Sequence, residues 1–397
     1  MAYLVGKIIA ENAYVLWKLS KEIWQNPELS FEETFAHDLL TQTLQEYGFV
    51  VKKNYFLPTA FRAEFDSGRD GSTVAVVCEY DALPGIGHAC GHNLIAEIGV
   101  AVGIAVKFSM ERDSSVCGKI IVLGTPAEED GSGKIRLIEK GAFKDVDVAV
   151  MAHPQVTNRL YPLILDLAKL TVIFRVKEYT DPWDGHTAVD AAVSCYNNIS
   201  IMRRRFNSKW RINGIISRCN AEEAEMLFCY RAPTRKEIYS LKKMLEKCIE
   251  AAASISGCSF ICNFHEEEDK NECKGMIHNK TVAEVFGMHA KSLGVLFRDF
   301  DPRFTESAVS TDMGNVSHVV PSIQPEYSIG AAPHVNHTPG FAKVAGSLSA
   351  QEPTLVIAES LARTVVDLLS NRDLMNKAKF ELEFCRVNEN VVRSPGE

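Results

Sequence analysis

Apolar residues recur at helical spacing over residues 4–24, interrupted by Lys7, Glu11, Lys18 and Glu22, so the chain opens on an amphipathic helix. Beyond it the period changes. Short apolar, β-rich runs at 72–78, 119–124 and 147–151 alternate with helical stretches at about 93–110 and 134–140. This alternation predicts a βαβ sheet covered by helices on both faces. In open sheets of this kind ligands bind beyond the carboxyl ends of the strands. Chemically versatile residues follow each run here, at 81–92, at 126–130 and at His153.

Between about 166 and 276 the order becomes strand 170–176, helix 188–206, strand 210–216, strand 225–231, helix 234–256 and strand 259–264. A β-α-β-β-α-β succession is a self-contained α+β unit of ferredoxin-like type. The expected organisation is therefore an α/β protein with a helix-covered mixed β-sheet domain in residues 1–165 and 277–397 and an inserted domain at 166–276. A length of 397 residues suits two domains.

Composition narrows the function. The chain is 46% hydrophobic and 24% charged, the balance of an ordinary globular protein. A net charge of −8 argues against a phosphate-tracking surface, hence against a nucleic-acid partner. The one basic run, Arg203 to Arg205, follows an apolar-periodic segment and reads as a last helical turn favoured by the helix dipole. Charges interrupt the N-terminal apolar residues, so no secretion signal is expected, and no window supplies the roughly 18 uncharged apolar residues of a membrane span. The expectation is a cytoplasmic protein without a membrane partner, its eleven cysteines reduced thiols.

Candidate chemistry is clustered. His88-Ala89-Cys90-Gly91-His92-Asn93 places three potential metal ligands at alternate positions, which an extended chain turns to one side. Pro84, Gly85 and Gly87 permit the tight backbone that precedes it. Glu128 and Glu129 directly follow an apolar strand, and neighbouring carboxylates on an extended chain face opposite ways, one toward a metal and one toward a substrate water. His153 ends the next apolar run. His334 and His337 are two candidates for a last ligand, and spacing does not choose between them. Buried, hydrogen-bonded histidines and a solvated acidic turn are the bland alternatives for each cluster alone. Together they describe one site.

The stretches Asn26-Pro27-Glu28-Leu29-Ser30-Phe31-Glu32-Glu33, Glu79 to Asn93, Thr125-Pro126-Ala127-Glu128-Glu129, Ser310 to Ser317 and Asn336-His337-Thr338 occur in the order seen in a known family. The chain resembles the aminoacylase and carboxypeptidase superfamily of two-metal peptidases, the twentieth metallopeptidase family. Its His-Ala-Cys-Gly-His-Asn form is similar to the amidohydrolase branch, where Cys stands for the Asp of many relatives.

The resemblance implies that Cys90 bridges two Zn2+ (or Mn2+) ions, that His92, Glu129, His153 and His337 complete their shells, and that Glu128 is the general base. It favours His337 over His334, since the family's last ligand follows Asn, and makes Asp81 an orienting residue rather than a ligand. It also implies a homodimer in which 166–276 is a lid and dimerisation domain and the remainder is catalytic. The expected substrate is a small dipeptide or N-acyl amino acid with a free carboxylate and a basic C-terminal residue. Arg231, at the end of a lid strand, is a candidate carboxylate clamp.

One departure stands out. Relatives carry Gly-Lys-x-Ser-His-Ala after the first lid strand, whereas Val176 to Trp183 here lacks it, and His186 is the nearby histidine that could stand in. The second reading is therefore a weakened relative that binds metal and small amides or a protein partner without efficient turnover.

Overall fold

In the computed structural model, residues 2–176, 187–264, 273–297 and 309–393 are described. Among them, β1 (Val50–Lys53), β2 (Phe61–Asp66), β3 (Thr73–Cys78), β4 (Lys119–Gly124), β5 (Val148–Val150) and β11 (Ser322–Ile323) form a six-stranded sheet in the order β1-β2-β4-β3-β5-β11. β3 runs parallel to β4 and β5, and β5 to β11, while β2 is antiparallel to β1 and β4. The sheet is mixed, as the sequence pattern predicts.

Parallel neighbours need crossovers, and α3 (His92–Arg112) joins β3 to β4, as α4 (Gly133–Glu139) joins β4 to β5. Because β3, β4 and β5 share a direction, the chain leaves all three at the same sheet edge, beyond Cys78, Gly124 and Val150. A short parallel ribbon of β6 (His153–Gln155) and β12 (Glu326–Ser328) follows.

The core explains why these runs are continuous. Val74 to Cys78 and Ile120 to Leu123 are buried throughout, as strands covered on both faces must be. α3 is long and apolar enough by length and composition to cross a membrane, yet 94% of its apolar window is buried inside the fold, between α1 (Ala2–Gln25), α10 (Gln351–Ser370) and the sheet. Gly99 and Gly103, one turn apart, let it settle onto the strands: a Cβ at Gly103 would lie 2.5 Å from Val122 Cγ2, and one at Gly99 3.0 Å from Cys78 Cβ.

Two units divide the chain: Met1–Pro162, Ile277–Thr305 and Asn315–Glu397 in one, Leu163–Met276 and Glu306–Gly314 in the other. The second unit has its own core around Phe174, Met226, Phe228, Leu241 and Ile249. Its sheet, β10-β7-β9-β8, is antiparallel throughout, built from β7 (Asp166–Arg175), β8 (Arg211–Cys219), β9 (Glu223–Ala232) and β10 (Ser259–Phe264), with α5 (Ala188–Met202) and α6 (Arg235–Ser256) as its helices. That is the ferredoxin-like arrangement.

Details differ from the pattern. β8 and β9 run on to Cys219 and start at Glu223, with a bulge between Ile216 and Arg218, because the strand pairing continues past the apolar residues. The Arg203–Arg205 run is a 3-10 turn rather than an α-helical one, and Arg203 Nη2 donates to the Ile212 carbonyl at 3.0 Å. Val309 pairs with the second unit, where the Leu165 amide donates to its carbonyl at 2.8 Å, although periodicity alone assigned everything after residue 276 to the first domain.

Gly103→Val should lower the unfolding free energy by about 1–3 kcal/mol, the typical cost of overpacking a filled core. Equilibrium denaturation checks it; an unchanged midpoint would mean that α3 is not held as closely to β4 as the geometry indicates.

Candidate metal centre

The site grows from three loop exits. After β3 the chain passes Asp81 and closes a small turn in which the Leu83 amide donates to Gly87 O at 3.0 Å and the Gly87 amide to Leu83 O at 3.1 Å. Gly91, at φ 81°, then switches the chain into α3. A Cβ there would stand 2.5 Å from Pro154 Cγ, so glycine is required by both conformation and space. His92 therefore sits in the first helical turn instead of on an extended segment. The alternate-position expectation fails for His88, whose Nε2 meets the Ile23 carbonyl at 3.1 Å and whose burial pushes its pKa down to about 3.

Asp81 is fully buried and bonded twice. Its Oδ1 accepts from His92 Nδ1 at 2.9 Å, and its Oδ2 accepts from the Glu129 amide at 2.9 Å. The first bond places the imidazole proton on Nδ1 and leaves Nε2 facing inward.

After β4 the backbone turns instead of extending. Ala127 takes φ 58°, with its amide donating to Glu33 Oε1 at 2.8 Å. The two carboxylates are consequently not opposed: oxygens of Glu128 and Glu129 lie within 4.8 Å of each other and of a His92 ring nitrogen. His153, opening β6, keeps Nδ1 2.9 Å from the Pro154 carbonyl and Nε2 3.5 Å from Cys90 Sγ.

The last histidine is decided by the fold. His337, at φ 64°, donates its amide to Ala89 O at 2.9 Å and places Nε2 3.5 Å from Glu129 Oε2. Its neighbour Asn336 donates to the Pro154 carbonyl at 3.1 Å. His334 is exposed, with its ring over Gly340.

Among the described residues, ligand atoms of Cys90, His92 and His153, and those of Cys90, Glu129 and His337, cluster within 4.8 Å. Cys90 is common to both groups. Arg231 lies on β9 in the second unit, its Nε donating to Ser310 Oγ at 3.1 Å. Residues 177–183 and His186 lie outside the described residues.

The electrostatics are those of a buried charged cluster. Burial pushes the Cys90 thiol up and His153 down to about 4. Burial opposes charge on His92 and Glu129 as well. Asp81 and Cys90 nevertheless hold His92 above the ordinary imidazole range, and His337 and His92 hold Glu129 down at about 2.

A cation fits this donor set. His92 Nε2 and Glu129 Oε1 are both buried without a hydrogen bond among the described residues. An isolated buried polar atom is costly unless something meets it. A thiol, imidazoles and a carboxylate are the ligands of zinc-type ions.

Sequence reasoning missed several residues here: Glu79, with Oε2 3.5 Å from His92 Nε2; Lys134, with Nζ 2.6 Å from Glu79 Oε1; and Glu33. For Glu79 the available signal was a charge directly following the apolar run Val74 to Cys78.

Known proteins are similar to this chain in sequence or in fold. The chain is 40% identical to the Xaa-Arg dipeptidase of Mus musculus, over 96% of this chain and 91% of that protein. It is 39% identical to the Xaa-Arg dipeptidase of Homo sapiens, over 98% and 93%. A dinuclear metal binding peptidase of the M20 family from Bacillus subtilis has the same fold at 17% identity, with a TM-score of 0.73 over 91% of this chain and 99% of that one. No family model matches.

Asp81→Asn should present an amide where His92 and the Glu129 amide need a carboxylate. Divalent-ion affinity should fall by the roughly 10- to 100-fold typical of losing such an orienting partner. Chelator competition measures this, and wild-type affinity in the variant would refute the orienting role.

Proposed function

We infer the function from one premise: this chain belongs to the family of the Xaa-Arg dipeptidases. The motif resemblance to the two-metal peptidase superfamily is sound, and these dipeptidases are the relatives to which its motifs lead. The protein is a metal-dependent hydrolase of amide or peptide bonds in small substrates. The observation that carries this reading is the convergence of Cys90, His92, Glu128, Glu129, His153 and His337 from separate chain segments, with Cys90 in both ligand groups.

We propose that Cys90, His92, Glu129, His153 and His337 would hold two ions, Cys90 being the donor common to the group with His92 and His153 and the group with Glu129 and His337. When bound, the ions supply Lewis acidity toward the scissile carbonyl and make water a nucleophile at neutral pH. Glu128, beside Glu129, takes a proton from the attacking water and delivers it to the leaving amine. Asp81 keeps the His92 lone pair directed inward. The soft thiolate and imidazoles favour zinc, with manganese second.

For the substrate, the reading is a dipeptide or N-acyl amino acid with a C-terminal Arg, Lys or ornithine. The family name supports the basic residue, and Arg231 is assigned to the free carboxylate because its planar fork suits bidentate contact. The cysteines are free, which supports a reducing, cytoplasmic location. A homodimer formed through the second unit completes the proposal.

The sequence of 176–183, without Gly-Lys-x-Ser-His-Ala, keeps a slow enzyme as the second reading. A panel of Xaa-Arg, Xaa-Lys and Xaa-ornithine dipeptides and their C-terminal amides, tested with Zn2+ or Mn2+, decides among these. The free acids should be cleaved and the amides resisted. Cleavage of none would leave the weakened relative, and equal cleavage of both would remove the clamp.

Glu128→Gln should retain about two ions per chain by elemental analysis while losing at least about 100-fold in turnover, the usual scale of general-base loss. Glu129→Gln should lose metal as well. Equal metal loss in the two variants would show the roles to be assigned wrongly.

A further inference from the structure

The two-ion reading leaves Glu79 without a task, although it stands at the exit of β3 beside the site and is wholly buried. Lys134, also wholly buried, holds its Oε1 at 2.6 Å. Its other oxygen, Oε2, has no hydrogen bond among the described residues and lies 3.5 Å from His92 Nε2. His92 donates through Nδ1 to Asp81, so a neutral ring presents a lone pair from Nε2. Two lone pairs facing each other out of water repel unless a cation or proton stands between them. Lys134 is engaged at the far oxygen.

We propose that Glu79 is a further anionic member of the metal centre, its Oε2 directed at the ion that His92 Nε2 holds, with Lys134 fixing the carboxylate and offsetting part of its charge. This rests on the two-ion reading above. The competing role is purely structural, with Glu79 serving only as counter-ion to a buried lysine. That role accounts for Oε1, and a proton on His92 Nε2 would make Oε2 an ion pair at 3.5 Å, but neither atom would then have a hydrogen bond, whereas an ion between them meets both. The arrangement would raise the anionic count around the ions without exposing another carboxylate to substrate, and removing a supporting group of this kind typically costs 10- to 100-fold in affinity, as a rough scale.

The test titrates Zn2+ into metal-free full-length wild type, Glu79→Gln, Lys134→Met and the double variant against a chelating dye, with circular dichroism reporting the fold. Glu79→Gln and the double variant should bind at least one ion about 10- to 100-fold more weakly. Lys134→Met, which keeps the carboxylate but loses its support and counter-charge, should lose less affinity than Glu79→Gln. If Glu79→Gln does not fold, the double variant decides, because it removes both buried charges together. A folded double variant with wild-type affinity for both ions overturns the proposal, as does a Lys134→Met loss as large as that of Glu79→Gln. Wild type that binds no Zn2+ would sink the two-ion reading itself, a result separable from failure of the Glu79 assignment alone.

Discussion

The side chain of Asp81 ties the site together. One oxygen accepts from the His92 ring at the start of α3 and the other from the Glu129 amide after β4, so one buried carboxylate joins the β3–α3 connection to the loop after β4. Each bond is made out of water, where a missing partner costs more than a bond made contributes. The inward direction of His92 Nε2 and the placement of Glu129 both follow from it. The parallel strands bring the loops to one edge, and Asp81 ties two of them together there.

A second layer of buried acids supports this one. Glu33 accepts from the Ala127 amide and from Thr59 Oγ1, holding Ala127 in a left-handed conformation that an alanine resists by about 1 kcal/mol or more. Burial raises the pKa of Glu33 to about 6, and its hydrogen bonds oppose that rise. Glu28 caps α2 (Thr34–Glu46), accepting from the Phe35 and Ala36 amides at 2.9 and 3.0 Å, while its carbonyl accepts from Ala82. The segment from Asn26 to Glu33 thus acts by bracing the two loops, and none of its residues belongs to the ligand groups.

The concentration of ionisable groups carries its own constraint. His92, His153, Glu79, Glu129 and Cys90 surround the buried Asp81 in a volume from which solvent is largely withdrawn, and the pKa values of those five are pushed apart by burial and mutual contact. Such a cluster is a poor structural device, since well-packed apolar residues in place of buried charges often leave a fold equally or more stable. Divalent cations give the same arrangement a reason to persist.

Much of this was legible in the chain. The short unbroken apolar runs and the helical period between them pointed to the helix-covered sheet, and the β-α-β-β-α-β succession to the ferredoxin-like unit, because burial on both faces of a strand and on one face of a helix imposes those patterns. The order of the motifs determined the family, and Cys90, His92, Glu129 and His153 stood out as ligand types at strand exits. The resemblance already favoured His337 over His334, and the tertiary structure adds where each histidine lies. His88 is drawn off by the Ile23 carbonyl, and His337 rather than His334 meets Glu129. It also revealed Glu79, Lys134 and Glu33, whose importance lies in partners 13 to 94 positions away. Periodicity reports which face a residue presents; only the folded chain fixes the distances between atoms from separate strands, and metal chemistry depends on those distances.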